Sequence, residues 1–285
     1  MCIFVATVEV GRTKIAVARY ADGKRQFIMY ENVVSGVVSA NAMILPIPAD
    51  ASSVELIDMS TIALPWDLIE DATPKSPSYG THDEYDLAEF AAVDDEPPLE
   101  VVTVGGYRCS IAPGLADIKR SLAIEVPANI EEVLRDHYAE GYCFLICQFG
   151  GGGDATTAIK MHPIAYSHDV RPGSGLFLPT RHAHGGGGSG DATTAVEAIT
   201  KRAKTDAAYG EHVEVHDYDH ILYLINATTL APPSTYDYAH RYFHTRCTNL
   251  GDMIPDHGIR CPIKFVQKVA ISAASHAPNG DQWAE

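Results

Sequence analysis

The sequence has no excess of basic residues and no apolar segment long enough to cross a membrane. Lys and Arg total 21 against 37 Asp and Glu, which gives a formal net charge of −16. Nucleic acids and anionic membrane surfaces attract proteins with a cationic surface, so this balance argues against both as partners. A membrane helix needs about 20 consecutive apolar residues, and no segment reaches that length. We therefore predict no nucleic-acid partner and no membrane span.

The sequence also has no closely spaced pair of cysteines. Its six cysteines are scattered, and none forms the CxxC pattern of a zinc or redox site: Cys2, Cys109, Cys143, Cys147, Cys247 and Cys261. We expect reduced, mostly buried thiols of an intracellular protein. No basic residue precedes the first apolar run, and Glu9 interrupts it, which argues against a secretory signal. The predicted location is therefore the cytoplasm or a virion, without secretion.

The composition that remains is globular and favours β-strands. Hydrophobic residues make up 46% of the chain. Four segments within the first fifty residues are rich in Val, Ile and aromatic residues and predict an N-terminal antiparallel meander: 2–10, 14–21, 25–34 and 42–49. The clearest helix has Asn129 as its N-cap, Glu132 three residues later, and Gly141 at its end. Strand segments outnumber helical ones without alternating with them, which predicts a β-rich α+β fold with mixed or antiparallel sheets and few helices.

Three stretches interrupt this pattern. Residues 70–100 carry ten acidic residues against one lysine, which predicts an exposed loop. We predict a single β-rich domain over 1–285, with any subdivision near this acidic loop. Residues 150–157 and 185–205 share a GGGG…DATTA pattern, but their flanks differ. A structural repeat preserves its apolar periodicity, so these stretches are predicted to be flexible insertions.

Histidines are concentrated in the C-terminal half, where ten of the 13 lie between His162 and His257. In an extended segment, residues two or four apart lie on one face of the strand. Imidazoles placed in this way suit zinc or iron, although no ligand set here has a diagnostic spacing. The preferred interpretation is a polar seam in a sheet with no cofactor. The alternative is a zinc or iron site built from His182, His184, His216 and His220.

Cys2 is a candidate nucleophile, because removal of Met1 would let its own α-amino group serve as the base. The opening MCIFVATVEV, followed by KIAVARYADG, resembles the first hairpin of N-terminal-nucleophile amidohydrolases of the bile-salt-hydrolase and penicillin-acylase type. This resemblance implies supporting roles for Arg19 and Asp22 at the end of the second strand. The family's Gly-Arg-Asn lead into the aspartate is absent, and no asparagine is assignable to an oxyanion hole. The simpler interpretation of Cys2 is a small apolar residue that starts an edge strand.

Two other catalytic patterns are incomplete. Gly150, Gly152 and Ala155 fit a G-x-G-x-x-[GA] pattern, but the amphipathic helix that must follow in a dinucleotide site is missing. Ser174 lies in PGSG rather than in a G-x-S-x-G elbow, and we expect it to serve a turn. Neither pattern supports a nucleotide site or a serine hydrolase.

A second resemblance covers most of residues 1–226. The phrases NAMILPIP, MHPIAYSH, LFLPTRHAHG and YDHILYLIN resemble a poorly characterised family of proteins from protists and from large DNA viruses of amoebae. That resemblance implies no activity and no catalytic residues. We therefore predict a non-enzymatic structural or interaction protein that forms homo-oligomers, binds protein partners or belongs to a larger viral particle. The alternative is a hydrolase that uses Cys2 or a histidine-bound metal.

Overall fold

A computed structural model describes most of the chain. The described residues are 2–35, 40–60, 62, 66, 69, 99–121, 125–150, 159–184, 218–228, 238–242, 249–254, 257, 259–272 and 281–285. The predicted acidic loop and the two predicted glycine-rich insertions lie wholly or almost wholly outside these ranges. His216 lies outside them as well.

Sixteen strands in the described ranges form two large sheets and one two-stranded ribbon. The six-stranded sheet has the order β12-β1-β4-β8-β7-β6, the eight-stranded path contains β14-β15-β13-β2-β3-β10-β5 with β9 beside β3, and β11 pairs with β16. Pairing is antiparallel except between β1 and β12 and between β2 and β13. The strands are β1 Cys2–Phe4, β2 Glu9–Arg19, β3 Arg25–Ser35, β4 Asn41–Ile47, β5 Glu55–Ile57, β6 Val102–Val104, β7 Tyr107–Ala112, β8 Cys143–Phe149, β9 Ile159–Lys160, β10 Ile164–Asp169, β11 Leu176–Leu178, β12 His182–His184, β13 Tyr218–Ile225, β14 Tyr238–Tyr242, β15 Val266–Ser272 and β16 Gln282–Ala284.

The β-rich α+β prediction is confirmed, whereas the N-terminal meander forms only in part. Strands β2 and β3 make an antiparallel hairpin, as expected. Strands β1 and β4 instead pair with each other in the six-stranded sheet. No turn separates the first two predicted segments, 2–10 and 14–21, because β2 runs from Glu9 to Arg19 through an irregularity between Gly11 and Lys14. The physical reason is long-range pairing, since β1 lies beside β12, about 180 residues further along the chain.

Apolar side chains cover both faces of both sheets. Between the sheets, Val17, Ile28 and Tyr166 of the eight-stranded sheet pack in one cluster with Leu45 and Leu145 of the six-stranded sheet. All seven residues of β8 are buried, which explains why its sequence is apolar throughout rather than alternating. The outer face of the six-stranded sheet is covered by a helix, and the outer face of the eight-stranded sheet is covered by the segments around Trp66 and Leu250.

Two α-helices are described, α1 (Ala128–Tyr138) and α2 (Leu250–Met253). Short 3₁₀ turns occupy Ala51–Ser53 and Leu115–Arg120. The predicted helix corresponds to α1, but its N-cap is Pro127 rather than Asn129, and no side chain caps it. Gly141 follows the helix with a φ of 75°, a left-handed conformation typical of a residue that ends a helix. No helix in the described ranges is long and apolar enough to cross a membrane.

Candidate functional site

The three residues of the predicted amidohydrolase site are divided between the two large sheets. Cys2 is in β1 of the six-stranded sheet, whereas Arg19 ends β2 of the eight-stranded sheet and Asp22 lies in the β2–β3 turn. The hairpin that the resemblance implies is not formed, because β1 pairs with β4 and β12. Arg19 donates to the carbonyls of Ser174 and Gly23. Asp22 accepts from the backbone N–H of Lys24 at 2.9 Å, so it shapes the turn.

The histidines proposed as metal ligands are likewise divided. His182 and His184 lie in β12, which is the outermost strand of the six-stranded sheet in the order described. His220 lies in β13 of the eight-stranded sheet and is buried. Within the described ranges, no group of three or more His, Cys, Asp or Glu residues is placed to hold a metal ion. Since His216 is outside those ranges, the metal alternative stays a prediction.

An open cleft of about 900 Å³ lies beside the β2–β3 turn. We call it the turn cleft. Its walls come from the β2–β3 turn, the segment 49–53, Pro113, Gly141–Tyr142 and the segment 169–173. Three cationic side chains line it, namely Arg19, Lys24 and Arg171. Ser174 closes a tight turn here by donating to the carbonyl of Arg171, which confirms the structural role predicted for this serine.

The two acidic residues of the turn cleft are occupied by local partners. Asp50 accepts from the backbone N–H and the hydroxyl of Ser52 at 2.9 and 2.7 Å, and these bonds lower the pKa of Asp50. Asp169 lies 3.5 Å from the guanidinium of Arg25, which also donates to the hydroxyl of Ser167. Arg25 is shared between Asp169 and Glu55, whose carboxylate lies 3.6 Å from its guanidinium, so it offsets the negative charge of Asp169 only in part.

The cations of the turn cleft are held by neutral groups. Arg171 donates to the carbonyl of Gly141, and its guanidinium lies 5.7 Å from the centre of the Tyr142 ring. The side chain of Lys24 is exposed. Neither Arg19 nor Arg171 forms an ion pair with a carboxylate among the described residues. Their positive charge is therefore available to an anionic group that enters the cleft.

A second polar group, next to the turn cleft, is fully engaged within the fold. Asp281 accepts from the hydroxyl of Tyr138 at 2.6 Å and from the backbone N–H groups of Thr180 and Arg181 at 3.1 and 3.2 Å. Burial raises the pKa of the Tyr138 hydroxyl, and the Asp281 carboxylate raises it further. This Asp281 anchor joins α1, the start of β12 and the start of β16.

Aromatic rings connect the two regions. The rings of Tyr138 and Tyr142 lie 5.1 Å apart, Tyr142 contacts Phe177 at 6.1 Å, and Phe177 contacts Trp283 at 5.2 Å. The contacts are tilted or edge-to-face, the arrangements that aromatic pairs prefer. Tyr142 therefore belongs both to the wall of the turn cleft and to the packed layer beside the Asp281 anchor.

A buried histidine, His168, precedes Asp169 of the turn cleft in strand β10. His168 is 1% exposed, whereas the side chain of the next residue, Asp169, is 63% exposed and lines the cleft. Burial lowers the pKa of His168 to about 4, since the charged imidazolium would lose its hydration. The Nδ1 atom of His168 lies 2.8 Å from the carbonyl of Asp169, while its buried Nε2 atom has no hydrogen-bond partner.

Sequence reasoning missed most of these residues. Asp281, Tyr142 and Arg171 belong to no short motif, and the hydrogen bond from Tyr138 to Asp281 spans 143 positions. One usable signal was PGSG at Pro172–Gly175, a turn sequence preceded by the acid–base pattern of Asp169 and Arg171. Arg19 and Asp22 were identified from the amidohydrolase resemblance as supporting residues of a catalytic site. Their position at the β2–β3 turn was not the basis of that prediction.

The fold and site define a β-rich two-sheet protein with an open, charge-lined cleft at one end. No family model matches the chain, and no curated protein matches it. Among solved structures, the chain is similar to that described as the crystal structure of baculovirus P35, with a TM-score of 0.40 and 11% sequence identity over 98% of each chain.

Proposed function

We propose that this protein is a non-enzymatic interaction protein that binds a carboxylate-rich segment of a partner protein in the turn cleft. The observation that carries the proposal is the set of three cations lining one cleft on a chain with a net charge of −16. Such a local reversal of sign attracts anions and orients a partner as it approaches.

The balance of charge within the cleft supports an anionic partner. Asp50 and Asp169, the latter offset in part by Arg25, face three cations, Arg19, Lys24 and Arg171. Guanidinium groups suit this role because their planar donors match both oxygens of a carboxylate. Backbone carbonyls hold Arg19 and Arg171 in place, so a ligand meets side chains that are already ordered.

The size of the cleft and its aromatic wall favour a peptide segment over a single small anion. A volume of about 900 Å³ is at the upper end of the range for ligand pockets. Tyr142 and Pro113 add apolar surface beside the cations. A peptide with acidic side chains would use both kinds of surface.

The test is binding of a fluorescently labelled hexaglutamate peptide, followed by anisotropy at low salt. The double variant Arg19→Glu/Arg171→Glu should bind the peptide about 30-fold more weakly. Reversing each charge replaces an attraction with a repulsion, and the two together cost about 1 kcal/mol of binding free energy per site. Raising the salt concentration should weaken binding to the wild type.

A matched control separates the cleft from the overall charge. The variant Arg135→Glu/Lys264→Glu changes the net charge by the same amount at two exposed positions outside the turn cleft. It should bind about as tightly as the wild type. Equal losses in both double variants, or no binding to the wild type at low salt, would contradict the proposal.

Assembly of the protein into oligomers or into a larger viral particle stays a prediction. The only large apolar side chains that are exposed within the described ranges, Val101 and Val102, are compatible with it. They lie at β6, which ends the six-stranded sheet in the order described. Strand edges of this kind pair with other chains unless they are covered.

A further inference from the structure

Two buried cysteines lie opposite each other on neighbouring strands. In the antiparallel register of β7 and β8, Cys109 pairs with Cys147. Both side chains are fully buried, and their Sγ atoms are 3.9 Å apart. Paired residues on antiparallel strands have Cα atoms about 4.5 or 5.5 Å apart, and disulfide-bonded cysteines have Cα atoms about 4.4 to 6.8 Å apart. Side-chain rotation can therefore join the two sulfur atoms without a change in strand pairing.

The closed fold keeps this pair of cysteines reduced. Both belong to the apolar cluster between the two large sheets. Burial raises the pKa of Cys147, and the neighbouring Cys109 raises it further. The thiolate is the nucleophile of thiol–disulfide exchange, so an oxidant meets little of the reactive form while the strands are closed. Oxidation therefore requires a local opening of the sheet.

The place of the pair in the sheet provides a route for that opening. Strand β7 lies between β8 and β6, and β6 ends the six-stranded sheet in the order described. Strand β6 pairs with β7 at three positions, one of which joins Val102 to Cys109, and Val102 is 42% exposed. Short terminal elements with exposed side chains open at a lower free energy than central strands. Separation of the β6–β7 hairpin from β8 uncovers both thiols.

We propose that Cys109 and Cys147 form a disulfide that locks β7 to β8 when the protein meets a small disulfide oxidant such as oxidised glutathione. In the opened hairpin, one cysteine loses its proton to solvent, and its thiolate attacks the S–S bond of oxidised glutathione and releases one glutathione thiolate. The second cysteine, also deprotonated, then attacks the mixed disulfide and releases a second glutathione thiolate. The pair loses two electrons and two protons, and oxidised glutathione gains them to become two molecules of glutathione.

The new bond closes a loop that holds several parts of the molecule. It joins positions 38 apart in the sequence. The loop contains the 3₁₀ turn Leu115–Arg120 and helix α1, together with Pro113 and Tyr142 of the turn cleft. A cross-link of this kind stabilises a protein mainly by restricting its unfolded chain. The oxidised protein should therefore unfold at a higher urea concentration than the reduced protein.

The experiment treats the reduced, folded full-length chain with oxidised glutathione, alkylates the remaining thiols in urea and maps the tryptic peptides by mass spectrometry. Peptide 109–119 linked to peptide 136–160 should be about 10-fold more abundant than any other linked pair, because proximity accelerates the intramolecular step. The same treatment in concentrated urea should distribute the links over several pairs, since the register is lost. The urea midpoint of the oxidised protein should rise and should return to its original value after reduction with dithiothreitol.

A matched pair of variants assigns the link. Cys143→Ala removes another buried cysteine of β8 and should still form the link, with Cys147 as the remaining cysteine of peptide 136–160. Cys147→Ala should form no link to peptide 109–119, and the oxidant should leave its urea midpoint unchanged.

Three results in the wild type would overturn the proposal. They are alkylation of both Cys109 and Cys147 after oxidant treatment, a glutathione mixed disulfide that persists on either cysteine, and a cross-linked protein whose urea midpoint has not risen. Each is read from the wild-type chain, so none depends on the folding of a variant. None depends on peptide binding in the turn cleft either.

Discussion

The turn cleft and the Asp281 anchor are built from similar residues and use them in opposite ways. Each region combines carboxylate, arginine and tyrosine groups, and the rings of Tyr138 and Tyr142 connect them at 5.1 Å. In the anchor, one carboxylate receives three hydrogen bonds from two distant parts of the chain, one from Tyr138 and two from the consecutive residues Thr180 and Arg181. In the turn cleft, Arg19 and Arg171 donate to backbone carbonyls and keep their charge uncompensated by acids in the described ranges.

This difference distinguishes polar groups that stabilise the fold from polar groups that are available to bind a ligand. A polar group whose hydrogen bonds are satisfied by distant segments stabilises the fold, because losing it leaves several partners unsatisfied. A cation held only by neutral groups adds little stability but keeps its attraction for an anion. Mutations in the anchor should therefore change the free energy of unfolding, and mutations in the cleft should change binding.

The largest effect on stability is expected at the anchor. Asp281→Ala removes the acceptor of three donors, and we expect the free energy of unfolding to fall by about 3 kcal/mol, since bonds to charged groups exceed the usual value of about 1 kcal/mol. Urea unfolding followed by circular dichroism measures this change. Asp136→Ala, at an exposed position on α1, removes the same charge and should change stability by less than about 0.5 kcal/mol.

If the two regions have separate roles, Asp281→Ala should bind the hexaglutamate peptide with the affinity of the wild type, measured under conditions in which the variant is folded. A large loss of binding with no loss of stability would assign Asp281 to the cleft and remove the distinction between the two regions.

His168 tests whether β10, which carries Asp169 of the turn cleft, also holds a titratable group shielded from water. Its pKa is about 4 in the fold and about 6.5 when the chain is unfolded, so the unfolded state binds the proton first as the pH falls. This contribution to stability is fully present above pH 6.5 and is lost as the pH approaches 4. The shift corresponds to about 3 kcal/mol.

The measurement is the difference in unfolding free energy between pH 7 and pH 4.5, taken from urea titrations. His168→Leu should show a smaller difference than the wild type, because a leucine binds no proton. His137→Leu, at an exposed position on α1, should retain the wild-type difference. If His168→Leu and the wild type lose equal stability between pH 7 and pH 4.5, His168 is hydrated in the fold and does not contrast with the open cleft.

Much of the fold was predictable because its elements are local. The β2–β3 hairpin, the hairpin at Gly105 and the helix α1 follow from alternation, turn residues and a 3.6-residue period. Gly105 has a φ of 55°, and a Cβ there would lie 2.6 Å from Nδ1 of His162, so the turn demands glycine. The expectation of buried, free cysteines is confirmed for Cys109, Cys143, Cys147 and Cys261.

The site was less predictable because it depends on pairings between distant segments. Nothing local in MCIFVATVEV shows that Cys2 will lie beside His182, since strand register is decided by tertiary packing. Asp281 lies near the C-terminus in a short polar segment, and its three donors are 100 or more residues away. Histidine spacing predicted shared faces, but it could not show that β12 and β13 belong to different sheets.

The smallest effect is expected at Lys24, on the rim of the turn cleft. Its backbone N–H donates to Asp22 and its carbonyl accepts from Val170, so Lys24→Ala leaves the turn intact. A single exposed charge contributes about 0.5 kcal/mol, so affinity for hexaglutamate should fall about twofold, with no change in stability. Lys264→Ala, at an exposed position outside the turn cleft, should leave affinity unchanged. A tenfold loss for Lys24→Ala would move the centre of binding from the two arginines to the β2–β3 turn, whereas equal affinities for the two lysine variants would exclude the turn from the binding surface.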